Sequence, residues 1–248
     1  MRQLRRIREL KQFTLHATDG EVGSVEELYF DDESWAVRYL VVNTGSWLLS
    51  RRVLLPPMAV AGVEEANRVV RIKLTREQIE TGPPVDMAKP ISRAYEEEHH
   101  RHFQWVPYWH LGPVPSPLVH PTIPPRIVNT SLVTTEQREQ PHLRSSAEIT
   151  GYSIQAFDGM IGHVEDLVID DTDWVVRYFE IDTRNWLPGK KVLVAPAWID
   201  LISWADRSVV TKLTQDAIQS APGYDPSKVV TPEYEVDLFK HYGQDRTY

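Results

Sequence analysis

The side chains of this 248-residue chain best suited to binding a metal ion are histidines clustered near its middle. Imidazole is a common zinc ligand, and on a helix His99 and His102 would be neighbours, three residues apart. The spacing of the cluster matches no recognised ligand signature, so we predict neither a metal site nor any other cofactor. The clustered histidines are His99, His100, His102, His110 and His120.

Two Asp-Asp pairs, at positions 31–32 and 170–171, resemble paired carboxylates for acid–base chemistry. Adjacent strand residues point to opposite faces and aspartate favours turns, so both pairs predict hairpin turns instead. Two Gly-x-x-Gly pairs, at 20–23 and 159–162, precede no helix that could bind a phosphate, and they predict tight turns and bulges. The chain has no cysteine and no nucleophile elbow. We therefore predict no catalytic residue and a protein that is not an enzyme.

Two tryptophans and an arginine lie close to the predicted turns. Trp35 and Trp174 stand at the start of strands, and their large rings predict packing in a core or at the mouth of a barrel. Arg38 lies on the polar side of the first of these strands. Two alternatives are open for it: an ion pair with an acid such as Glu26, or contact with a ligand.

A surface that could anchor a protein partner is predicted at a loop that occurs in two versions. Each version combines a tryptophan and a leucine with two cations, which is typical of an aromatic interface anchor with a charged rim. The alternative is that the tryptophan and leucine cover their own domain while the cations are solvated. The predicted partner-binding residues are Trp47, Arg51, Arg52, Trp186, Lys190 and Lys191.

The elements that position these residues belong to a duplicated domain. With a constant shift of 139 residues, Asp19–Ile79 aligns with Asp158–Ile218 without a gap, and 25 of 61 positions are identical. Each copy contains short segments rich in β-branched and aromatic residues, which predict strands, and ends in a helix start at Thr75 or Thr214. The predicted strands are Glu21–Phe30, Trp35–Val42, Val53–Leu55 and Val69–Leu74, then Gly162–Ile169, Trp174–Asp182, Val192–Val194 and Ser208–Leu213.

The copies are separated by a segment without a counterpart. Seven prolines fall within positions 107–125, which excludes a regular helix or a central strand there. We predict a first domain at 1–104, a proline-rich linker at 105–147 and a second domain at 148–248. The linker also carries aromatic residues, so we expect part of it to lie across one of the domains.

Composition narrows the classes of partner. The net charge of −8 argues against binding to nucleic acid, and no apolar run is long enough for a membrane helix. We expect a soluble, cytoplasmic protein. The exception is the basic segment at positions 1–11, for which we consider a solvated tail or an arm that contacts a membrane surface or an acidic partner.

The repeated motif resembles a known domain. The run DGxxGxVxxLxFDDxxWxVRYLVVxT, followed by WLxxxxVLxxP, is similar to the PRC-barrel domain. Members of that family occur as the cytoplasmic domain of the photosynthetic reaction-centre H subunit and at the end of a ribosome-maturation factor that docks on a ribosomal protein. The resemblance implies a mainly β fold with two tandem small PRC-type β-barrels, each followed by short helices.

The resemblance also implies binding rather than chemistry. Our leading hypothesis is a non-enzymatic docking or assembly module whose partner is another protein or a second copy of itself, with the two barrels related by a pseudo-twofold axis. One alternative is a small-ligand binder or enzyme whose site lies between the barrels near Trp105, Tyr108 and His110. Another is a peripheral accessory protein of a photosynthetic or other membrane complex.

Overall fold

The computed structural model describes residues 3–45, 48, 51–86, 90–110, 143–183 and 190–243. These residues divide into two compact units. The first unit contains described residues 8–110 and 143–145, and the second contains 3–7 and 146–243. Each unit is named after the sequence copy that supplies most of it.

The secondary structure is mostly strand in both copies. The strands are β1 (Leu4–Arg6), β2 (Thr14–Ala17), β3 (Gly20–Asp31), β4 (Val37–Asn43), β5 (Arg52–Leu55), β6 (Val60–Glu64), β7 (Val69–Ile72), β8 (Leu143–Ser145), β9 (Ser153–Ala156), β10 (Gly159–Asp170), β11 (Val175–Asp182), β12 (Lys191–Val194), β13 (Ile199–Ser203) and β14 (Ser208–Thr211). The α-helices are α1 (Ile7–Leu10), α2 (Arg76–Glu80), α3 (Arg93–His102), α4 (Ser146–Ile149), α5 (Gln215–Ser220) and α6 (Pro232–His241). Short 3-10 helices lie at Pro57–Ala59, Tyr108–His110 and Pro196–Trp198.

Each unit is built on a seven-stranded sheet of the same topology. The order is β5-β4-β3-β2-β7-β6 in the first unit and β12-β11-β10-β9-β14-β13 in the second. Neighbouring strands are antiparallel except for the parallel pairs β2–β7 and β9–β14. The predicted fold class, mainly β with two β domains that carry short helices, is confirmed.

The seventh strand of each sheet is supplied by the segment that precedes the other sequence copy. Strand β1 pairs with β10, where Leu4 faces Asp170, and β8 pairs with β3, where Leu143 faces Asp31. The 139-residue shift that relates the copies also places Leu4 on Leu143, so β1 and β8 are equivalent strands. The two copies have therefore exchanged their first strands. The repeat pattern did not predict this exchange.

An arginine–aspartate ion pair holds each exchanged strand. The Arg5 side chain is almost fully buried, and its Nε lies 2.7 Å from Asp171 Oδ2. The equivalent Arg144 Nε lies 2.9 Å from Asp32 Oδ2. Residues 4–10 form β1 and α1, and Ile7 is buried, so the segment is not a solvated tail. Its contact with a membrane surface or an acidic partner stays a prediction.

Asp31 and Gly23 have the structural roles predicted for the aspartate and glycine pairs. Asp31 Oδ1 accepts hydrogen bonds from the backbone N–H groups of Glu33 and Ser34, at 3.1 and 2.8 Å, which makes the hairpin turn. A Cβ atom at Gly23 would lie 1.9 Å from the Asn43 carbonyl oxygen. Only glycine therefore allows β3 and β4 to approach this closely, and the β3 register shifts nearby.

The predicted core tryptophans and helix caps are confirmed. Trp35 stacks on Phe30 with 5.6 Å between ring centroids, and both Trp35 and Trp174 are buried. The hydroxyl of Thr75 caps α2 in a complete capping box, and Thr214 caps α5. No helix among the described residues is long and apolar enough to cross a membrane.

The strand exchange predicts that the two sequence halves remain associated after the chain is cut. A protease site introduced near position 125 would leave each half carrying a strand that the other half needs. Removing one partner of a buried ion pair costs roughly 3–5 kcal/mol, which applies to the Arg5 pair. Arg5→Ala, combined with Arg144→Ala at the more exposed pair, should therefore weaken the association. Size-exclusion chromatography of the cut protein measures this.

The cut wild type should elute as one species containing both fragments, and the cut double variant should separate at a lower denaturant concentration. Fragments of the wild type that elute separately in native buffer would show that the exchanged strands do not hold the halves together. The uncut variants serve as controls for folding.

Candidate functional site

The predicted loop site is described only in part. Trp47 and Trp186 lie outside the described residues, so the aromatic half of that prediction remains untested. Arg51 Nη1 donates to the Glu80 carbonyl oxygen at 2.9 Å and its Nη2 to that of Gly82, both at the C-terminal end of α2. Lys190 binds the carbonyl oxygen of Gln219 in the equivalent helix α5. These cations donate hydrogen bonds to helix carbonyl groups that lack partners within the helix. Their positive charge also interacts favourably with the negative C-terminal end of the helix dipole.

The second cation of each loop forms an ion pair across the sheet. Arg52 binds Glu26 through two hydrogen bonds of 2.7 and 2.6 Å, and Lys191 Nζ lies 2.6 Å from Glu180 Oε1. All four predicted cations thus have partners within their own units. Their role in binding another protein stays a prediction.

Arg38 does not pair with Glu26. Its Nη2 lies 3.3 Å from Asp31 Oδ2, and its guanidinium stacks 3.9 Å from the ring centroid of Tyr108. Tyr108 lies in the described beginning of the predicted linker. This part of the linker packs within the first unit, as expected for a segment rich in aromatic residues.

A buried polar cluster joins α3 to β4 in the first unit. Glu96 is 3% exposed, and its Oε1 accepts hydrogen bonds from the hydroxyl groups of Tyr39 and Tyr108 at 3.0 and 2.9 Å. Its Oε2 lies 2.9 Å from Arg93 Nη1. Burial raises the pKa of the Glu96 carboxyl, although Arg93 opposes this shift. These contacts give both carboxylate oxygens of Glu96 partners and fasten α3 to the sheet.

Two adjacent histidines complete this cluster. His99 Nε2 lies 2.9 Å from the Leu54 carbonyl oxygen and must therefore carry the proton that it donates. His100 Nε2 lies 3.0 Å from the Tyr39 hydroxyl. Burial lowers the pKa of His99 to about 4 and also lowers the pKa of His100. Both imidazoles are consequently neutral at pH 7.

The histidine cluster considered as a metal site is not assembled as one among the described residues. His99 uses Nε2 on Leu54, whereas His102 Nε2 is directed to the Thr81 hydroxyl at 3.5 Å. Aromatic rings that offer no metal ligand pack against His99: the ring centroids of Phe103 and Trp105 lie 5.0 and 5.8 Å from that of His99.

The second unit keeps half of the buried cluster. Tyr178 donates a hydrogen bond of 2.8 Å to Glu235, as Tyr39 does to Glu96. Leu238 and Phe239 replace the two histidines in the equivalent helix α6. The tyrosine–glutamate pair is thus part of the common frame, and the buried imidazoles are a feature of the first unit.

An exposed apolar surface distinguishes the second unit. Four residues on neighbouring strands are direct cross-strand partners and form a line across the sheet: Met160 (β10), Gln155 (β9), Val210 (β14) and Leu201 (β13). Met160 and Leu201 are 53% and 58% exposed, and Phe157 in the adjacent turn is 82% exposed. We call these five residues, of which all but Gln155 are apolar, the apolar row.

The same positions of the first unit are polar. The register there aligns Glu21 (β3), His16 (β2), Arg71 (β7) and Gly62 (β6), and Thr18 takes the place of Phe157. Arg71 forms a 2.8 Å ion pair with Glu64 on this face. The apolar row is therefore not required by the fold, because an equivalent sheet forms without it. The exposed residues could not be assigned to one surface before the strand register was known.

Residues 3–79 match the PRC-barrel domain family. The match confirms the resemblance recognised in the first copy, and its range includes the exchanged strand β1. Comparison of the chain with curated proteins finds no match.

The buried imidazole of His99 predicts acid-sensitive stability. A base whose pKa falls from 6.5 to about 4 on folding makes the unfolded state bind more protons as the pH falls below 6.5. The contribution of His99 to the free energy of unfolding should decrease by about 3 kcal/mol between pH 7 and pH 4. Urea unfolding at several pH values measures it.

Glu96 opposes this trend, because its raised pKa makes the folded state take up a proton first on acidification. The variant His99→Leu introduces the residue that the second unit has at this position, Leu238. The difference in unfolding free energy between wild type and this variant cancels the Glu96 contribution and isolates that of the imidazole. Between pH 6.5 and 4, the free energy of unfolding of His99→Leu should fall less steeply than that of wild type. The control His102→Gln, at an exposed histidine, should show the same pH dependence as wild type. Equal slopes for His99→Leu and wild type would contradict the assignment.

Proposed function

We propose that this chain, whose residues 3–79 match the PRC-barrel domain, is a non-enzymatic assembly module that docks through the apolar row of its second unit. The row is the observation that carries the proposal. PRC-barrel domains suggest protein interaction in general, and the row supplies a surface of the kind that interaction requires. Exposed contiguous apolar patches on soluble proteins commonly mark interaction sites.

The chemistry of the row favours an apolar partner surface. Phe157, Met160 and Leu201 each expose more than half of their area, and no charged side chain occupies the four aligned positions. Covering these side chains removes apolar area from water, which stabilises a complex by roughly 25 cal/mol per Å² before the costs of association. Gln155, at the second position of the row, can donate and accept hydrogen bonds across an interface.

We take the partner to be a second copy of this chain. A twofold interface places the same patch of each molecule against itself, and it is the commonest mode of homo-oligomer assembly. A row without charge does not repel its own copy. The first-unit face carries the charges of Glu21 and Arg71 at the equivalent positions, and covering them would cost desolvation. One chain would then contribute one docking surface, which yields a dimer rather than an open polymer.

The test replaces row residues with those that the first unit carries at the same positions. Wild type should show a mass that rises from one chain to two with concentration in analytical ultracentrifugation. The triple variant Phe157→Thr, Met160→Glu and Val210→Arg should remain a monomer, with a dissociation constant raised at least tenfold. The sheet of the first unit already accommodates these residues, so folding should be retained, and circular dichroism melting checks this.

A matched control alters the first-unit face instead. The double variant His16→Gln and Glu21→Met introduces residues of the second unit and should leave the dimer mass unchanged. A wild type that stays monomeric to roughly millimolar concentration, where only interactions weaker than about −4 kcal/mol would be missed, overturns self-docking. Loss of the dimer in the control and not in the triple variant would also overturn it.

A further inference from the structure

We propose that the second unit binds one divalent ion of the zinc class through His163, Glu165 and Asp182. One imidazole nitrogen and one oxygen from each carboxylate lie within 4.8 Å of one another. Zinc accepts these ligand types at about 2.0–2.2 Å and usually has four ligands, so three protein groups would leave one position for water. The inference does not depend on the proposed docking function.

The strand register explains how residues distant in sequence converge. His163 on β10 lies directly opposite Asp182 on β11. The register shifts between Val164 and Asp166, so Glu165 is the extra residue of a β-bulge. A bulge redirects side chains, and the 3.6 Å distance between His163 Nε2 and Glu165 Oε2 shows that both side chains reach the same region.

The carboxylate next to the three groups is a second observation that bears on a cation. Glu180 lies on the same strand face as Asp182, two residues away, and is fully buried. Its Oε1 binds Lys191, but its Oε2 has no hydrogen-bond partner among the described residues. A buried carboxylate oxygen without a partner is costly, and a nearby cation reduces that cost.

Lys191 links Glu180 to the three proposed ligands. Its Nζ lies 2.6 Å from Glu180 Oε1 and 3.6 Å from Glu165 Oε1. It therefore supplies positive charge to the carboxylates without a metal and competes with one for Glu165. A metal ion would take over Glu165 while Lys191 remains on Glu180. Replacing Lys191 should consequently change the affinity for metal, which a merely structural salt-bridge network does not predict.

The first unit lacks this set of groups. Ser24 and Asn43 stand where the second unit has His163 and Asp182, and Val41 stands in place of Glu180. Glu26, the equivalent of Glu165, is held by both ends of its carboxylate on Arg52. Three ionisable groups are thus added together at one place in the second copy. The fold does not need them, because the same sheet forms in the first unit without them.

The experiment is a zinc titration of the metal-free, full-length protein by isothermal titration calorimetry. Wild type should bind about one zinc ion per chain. The double variant His163→Ser and Asp182→Asn, with the residues of the first unit, should lose at least tenfold in affinity. Lys191→Met should bind zinc more tightly, because a competing cation is removed. Cobalt substitution adds a readout of geometry through its visible absorption.

Two controls make the outcome decisive. His16→Gln removes a histidine of the first unit and should leave zinc binding unchanged, and thermal melts of all variants without metal check folding. The proposal is overturned if wild type binds no zinc below millimolar concentration. It is equally overturned if His163→Ser with Asp182→Asn binds as tightly as wild type, since the ion would then lie elsewhere.

Discussion

The structure depends on a buried arginine–aspartate pair that fastens a strand from one sequence copy into the sheet of the other unit. Arg5 is almost fully buried, and Asp171 compensates the cost of burying its charge. Arg144 and Asp32 repeat the arrangement in the first unit with more exposure. Each unit consequently requires a segment that lies before the other copy's main sheet in the sequence.

The two residues of the repeated Asp-Asp pair have different structural roles. The first aspartate of the pair builds the turn between two long strands, as Asp31 does by accepting backbone hydrogen bonds and an ion pair from Arg38. The second aspartate, Asp32 or Asp171, receives the arginine of the exchanged strand. Two adjacent carboxylates thus bind partners on opposite sides of the chain, because successive side chains of an extended backbone point to opposite faces.

On this common frame the two units differ at a few places where the fold is indifferent to the side chain. The first unit has two neutral buried histidines where the second has Leu238 and Phe239. The second unit has an apolar row and a His163–Glu165–Asp182 group where the first has polar or neutral residues. The internal comparison separates what the sheet needs from what has been added to it, and the added features are those for which we propose docking and metal binding.

The sequence by itself determined the features that depend on near neighbours. Strands, turns, the Thr75 cap and the closely approached glycines follow from residue types and short spacings, and the repeat determined that there are two similar domains. The partners of Arg38 could not be derived in this way, because Glu26 and Asp31 are both near it in sequence and only the packed sheet orients the guanidinium toward Asp31 and Tyr108.

The tertiary structure alone decided the strand exchange and the clusters. Leu4-Arg5 and Leu143-Arg144 carry the same residues and the acceptors Asp32 and Asp171 are the same residue type, so local energetics scarcely distinguish pairing within a copy from pairing with the other one. The apolar row and the His163–Glu165–Asp182 group depend on cross-strand register, and a shift of one residue would turn their side chains to the other face of the sheet. Register is set by bulges and by the packing of the whole core, which no short spacing in the sequence encodes.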